Sequence, residues 1–128
     1  MQPAWKQTEF ETFRFGWSTW DVQKAKALLL RKKRPIEIHS IEVQSLSPLA
    51  SLVGIEWDRI KSDLKLPPDQ QTIDLRVPLI LVMTRDGALP IDGWHRIGKA
   101  MLTKTPTLPA VLLSKADERK VRISGPAY

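Results

Sequence analysis

The sequence predicts a small α+β domain, a mixed-sheet α/β arrangement, from three observations. Helix-type and strand-type patterns interleave along only 128 residues, which leaves room for a sheet with helices packed on it. The run Leu79 to Met83, LILVM, is almost continuously apolar, as in a strand buried on both faces. Asp86-Gly87 then separates it from a second apolar run, and Asp-Gly between two such runs signals a hairpin, because both residues tolerate positive φ. A hairpin within an alternating chain makes the sheet mixed.

Taken in order, residues 1–17 are rich in rings (Trp5, Phe10, Phe13, Phe15, Trp17) and lack a helical period. Phe13 and Phe15 flank Arg14, which suits a short strand or an N-terminal arm laid over the core. Ser18 or Thr19 offers an N-cap and Asp21 a first-turn acid, so a helix is expected from Trp20 to Lys33, ended by Pro35. Arg31, Lys32, Lys33 and Arg34 at its end complement the helix dipole. Ile36, Ile38, Ile41 and Val43 alternate with a change of phase at His39-Ser40, as in a bulged strand with His39 half-buried.

Ser47-Pro48 reads as the start of a short helical turn interrupted at Gly54. A second helix is expected over 56–66, where Trp57, Ile60 and Leu64 form an apolar stripe opposite Asp58, Arg59, Lys61 and the run Asp63 to Lys65. Pro67-Pro68-Asp69 breaks it, and Ile73 to Arg76 reads as short and extended. After the hairpin, Leu89 to Asp92 forms a return strand whose Pro90 assigns it to an edge or bulge. A helix over 94–102, a strand from Thr107 to Leu113 and a short helix capped by Ser114 complete a single domain spanning 1–128.

The chain has no cysteine, which removes disulfides, thiolate nucleophiles and cysteine-ligated metals. With only His39 and His95 as imidazole ligands, zinc is a poor expectation, whereas magnesium needs only one or two carboxylates plus substrate phosphates. Neither a membrane span nor a signal peptide is expected, since charges interrupt every apolar run and the N-terminus; this places the chain in the cytoplasm, in a bacterium. A net charge of +6 suits a polyanion partner. Residues 65–128 are the more basic half, with ten cations against six acids.

The chemistry concentrates at Asp92-Gly93-Trp94-His95-Arg96, where a strand passes into a helix. Asp92 is able to serve simply as the N-cap, with Trp94 as a core anchor. Yet His95 and Arg96 are cations in a first turn, where acids are expected, and a bound phosphate or carboxylate would reverse that conflict. Lys99, three residues after Arg96, adds a second cation on the same face.

The run from Pro78 to Val111 (P-x-I-L-V, the Asp-Gly hairpin, I-D-G-x-H-R, then L-P-A-V) resembles the ParB/sulfiredoxin-like superfamily. DGWHR is similar to the Asp-Gly-His-His-Arg motif of its free-serine kinases at all but one position. The resemblance implies a ParB/sulfiredoxin-like fold in which Gly93, Trp94, His95, Arg96 and Lys99 bind nucleotide phosphate. It implies ATP or CTP with Mg²⁺ as cofactors, Asp92 and His95 as catalytic groups and Asp92 as a metal ligand. Trp94 stands where sulfiredoxins keep their catalytic cysteine, so sulfinic-acid reduction is excluded. The expected activities are therefore those of a nucleoside triphosphatase or small-molecule kinase. The alternative is a non-enzymatic nucleic-acid or protein-binding module of plasmid or phage origin, and a homodimer is among the partners considered.

Overall fold

The computed structural model describes residues 12–126, so the rings at Trp5 and Phe10 lie outside the described residues. Two sheets and five helices make a small α+β fold with a mixed main sheet. β1 (Thr12–Phe15), β2 (Ser18–Asp21) and β7 (Arg122–Ser124) form a three-stranded sheet in the order β1-β2-β7. β3 (His39–Glu42), β6 (Thr107–Leu112), β4 (Leu79–Thr84) and β5 (Gly87–Asp92) form the main sheet, in the order β3-β6-β4-β5. Its β4–β6 pair is parallel and its other pairs antiparallel. The helices are α1 (Val22–Leu30), α2 (Val43–Val53), α3 (Trp57–Leu64), α4 (Trp94–Thr103) and α5 (Lys115–Val121).

Residues 12–15 form the short strand that the Phe13-Arg14-Phe15 alternation suits, in a hairpin with β2, and Trp20 is a strand residue rather than the first of a helix. Ser18 to Asp21 alternates in burial, and Phe13 faces Trp20 across the β1–β2 ladder. That pair turns both rings into the core, where cross-strand aromatic contact outweighs helix propensity; Trp20 is fully buried and its Nε1 donates to Glu118 Oε2 at 2.7 Å. The helix therefore starts two residues later, with Asp21 as N-cap accepting from the Lys24 amide at 2.9 Å. It ends at Leu30, before the basic run.

The expected bulged strand is reduced to β3, because Val43 opens α2. His39 is exposed on this edge strand, not half-buried. Pro48 lies inside α2 rather than at its start. A proline there lacks the N–H that would meet the Gln44 carbonyl, and Ser47 Oγ donates to that carbonyl instead at 3.1 Å. In α3 the buried positions are Ile60 and Asp63, while Trp57 is partly exposed. Asp63, assigned by its charge to the solvent side, thus faces inward. Asp74 to Val77 form a turn within the segment expected to be extended: the Val77 amide donates to Asp74 O, and Arg76 folds back on the Asp74 carboxylate.

The hairpin forms where Asp86-Gly87 predicts it, with Thr84 opposite Gly87. Only Gly87 takes positive φ, at +112°; Asp86 is held by its amide on Thr84 Oγ1. β4 lies between two strands and is buried at five of its six residues, and β5 is an edge strand with a register shift opposite Ile80/Leu81, beside Pro90. Leu79 to Val82, Leu108, Ala110 and Val111 meet Leu46, Ala50, Ile97 and Ala100 of the helices in one core. Among the described residues, no helix is long and apolar enough to cross a membrane.

Candidate functional site

Every residue from Leu89 to Ala100 is buried, so the strand-to-helix junction is an interior feature. Gly93 makes the turn. It is the N-cap of α4 at φ +106° and supplies no capping side chain. A Cβ there would collide with Leu79 Cδ2 and stand 3.2 Å from Arg96 Cζ, so both the backbone conformation and the space demand glycine.

The cap is not Asp92. Its carboxylate lies fully buried beside the Arg96 side chain, with Oδ2 2.7 Å from Nη2, and Oδ1 is 3.5 Å from Lys26 Nζ on α1. Arg96 Nη1 also donates to the carbonyls of Val77 at 2.6 Å and Pro78 at 2.7 Å. One guanidinium thus ties the start of α4 to the end of β5 and the segment leading into β4. Two cations around one buried carboxylate satisfy the rule that interior charges come paired.

Trp94 is fully buried, its Nε1 donates to Pro90 O at 2.9 Å, and its ring lies nearly parallel to Phe13 with centroids 6.3 Å apart. His95 is buried one position further on. Lys99 leaves the group. Its ammonium donates to Gln71 Oε1 and Ile73 O, both at 2.6 Å, and lies 3.3 Å from Asp63 Oδ2. Burial acts to raise the Asp63 pKa, but donors from the Thr72 amide and hydroxyl, Lys99 and the Ile73 amide outweigh it and hold the carboxyl below the usual aspartate range. The exposed Arg76 guanidinium likewise holds Asp74 low. A cleft of about 780 Å³, lined by Gln71, Ile73, Asp74, Arg76 and Thr103, meets α4 at Lys99 rather than at its start.

The structure therefore brings Asp92, Gly93, Trp94, His95 and Arg96 together and separates Lys99 from them. Lys26, Asp63 and Phe13 complete these two clusters. The Asp92–Arg96 link had a signal in sequence, an acid followed four residues later by a base. Lys26 and Asp63 had none, since their partners are 66 and 36 residues away in the chain. Oδ2 of Asp92 is hydrogen-bonded by Arg96, and Oδ1 stands 3.5 Å from Lys26 Nζ without a hydrogen bond. Among the described residues, no group of three or more His, Asp or Glu side chains is placed to hold a metal ion. Compared with protein-family models, curated proteins and solved structures, the chain matches none.

Proposed function

We propose that the chain is a ParB/sulfiredoxin-like domain that binds the phosphates of ATP or CTP, with Mg²⁺, at the start of α4. One observation carries the reading. A ten-residue helix opens on left-handed Gly93 without a capping side chain, and its first turn holds no acid but carries His95, beside Arg96 whose charge Asp92 already answers. The first amides of such a helix and the positive end of its dipole favour an anion. The likeness of Asp92 to Arg96 to a phosphate-binding motif points the same way.

In this reading the first-turn backbone and His95 hold the phosphate, which requires the junction, buried from Leu89 to Ala100 in this structure, to open on binding. Arg96 acts by holding the junction in shape through Asp92 and the two carbonyls, and Lys99 anchors the second turn. Magnesium comes on the nucleotide's own phosphates. Any hydrolysis or transfer of the γ-phosphate would rest on positioning and charge neutralisation.

Isothermal titration with ATP and with CTP in magnesium is expected to give saturable binding to at least one. Absence of heat from both at millimolar nucleotide overturns the proposal. Arg96→Ala is a poor test, because it strands a buried carboxylate. His95→Gln is the sharper one, with an expected loss of about tenfold in affinity from one charge-assisted hydrogen bond.

A further inference from the structure

Away from α4, positive charge gathers where the end of α1 meets α5. α1 ends at Leu30, so Arg31 to Arg34 lie beyond its last turn, and all four are exposed. α5 packs beside α1 and carries exposed Lys115, Arg119 and Lys120. The two groups meet at Asp117, whose Oδ2 is 2.6 Å from Lys32 Nζ and whose Oδ1 is 3.9 Å from Lys120 Nζ. Beside them a cleft of about 440 Å³ is lined by Lys32, Arg34, Glu37, His39, Ser114 and Asp117. The acids here are few. Asp117 already serves two ammoniums, Glu118 turns inward to the Trp20 indole, and Glu37 stands 4.0 Å from His39.

We infer that this face binds the phosphate backbone of duplex nucleic acid. Seven exposed cations on two packed elements, two of them sharing Asp117, repel one another, and a polyanion relieves that repulsion while releasing its own counterions. A lone phosphate would meet one or two of them. A duplex presents a charge every ~1.7 Å along its axis, which matches a spread of cations over a helix end, a loop and a second helix. The face shares no residue with the start of α4, so this inference stands apart from the nucleotide reading.

Fluorescence anisotropy with a labelled duplex of about 20 base pairs, at about 50 and 200 mM salt, provides the test. The wild type is expected to bind, with affinity falling along a log–log salt slope of about −4 as some four to five phosphates are neutralised. The variant R31E/K33E/R34E leaves the Lys32–Asp117 pair in place. It is expected to lose tenfold or more in affinity, roughly, and to flatten the slope. R59E/K61E/K65E, on the exposed side of α3 and its C-cap, is the charge-matched control and is expected to change affinity by less than about twofold. The inference is overturned by absence of binding at low salt, by equal losses in the two variants, or by binding to phosphatidylserine vesicles but not to the duplex.

Discussion

Arg96 and Lys99, the two cations that suggested an anion site, each close an internal network. Lys99 has three oxygen partners from three points of the chain, Asp63, Gln71 and Ile73, so its loss leaves buried acceptors unserved. Lys99→Met is expected to lower stability by about 3 kcal/mol, the usual cost of breaking one side of a buried pair, read as a fall in urea midpoint at unchanged slope. Asp63 adds a pH dependence. Its carboxyl is held low in the folded state, so its contribution is complete above the unfolded pKa, near 4, and disappears as pH falls through the lower folded value. Asp63→Asn should therefore be less stable than wild type at neutral pH, with the gap narrowing in acid; a gap constant from pH 7 down to about pH 2 would contradict this. At Gly93, an added methyl meets Leu79 and Arg96 at a positive φ. Gly93→Ala is expected to cost about 2 kcal/mol or more, and a neutral effect on the thermal midpoint would show that the junction relaxes.

At the scale of elements, the local signals that came true are those with a short-range cause. Asp86-Gly87 made its hairpin and Ser114 its cap, the hydroxyl accepting the Asp117 amide at 3.1 Å. The failures are tertiary. Trp20 satisfied a helical reading until its partnership with Phe13 made it a strand, and β7, which no local pattern announced, exists because β2 offers it an edge. Pro48 reads as a start everywhere except where a neighbouring hydroxyl replaces the missing donor. Pro48→Ala restores the amide, so it is expected to stabilise the fold by about 1 kcal/mol or more; a lowered melting temperature would mean that the proline fits α2 better than alanine does.

At the scale of the whole molecule, the mixed sheet and the buried β4 were legible because apolar continuity and turn chemistry are written locally. The site was legible in composition but not in orientation. DGWHR at a strand-to-helix junction was readable, yet the direction of each side chain depends on Lys26, Val77 and Pro78, which approach from elsewhere in the fold. The basic run was readable too, whereas its alliance with α5 through Asp117 was not, because 85 residues separate Lys32 from its carboxylate. The central claim is that the backbone at the start of α4 receives a nucleotide's phosphates. Its most direct test is a titration of the ¹⁵N-labelled protein with ATP and CTP in magnesium, followed by amide chemical shifts. The account predicts saturable shifts largest at Gly93 to Ile97. Shifts confined to Arg31 to Arg34 and α5, or none anywhere at millimolar nucleotide, would contradict it.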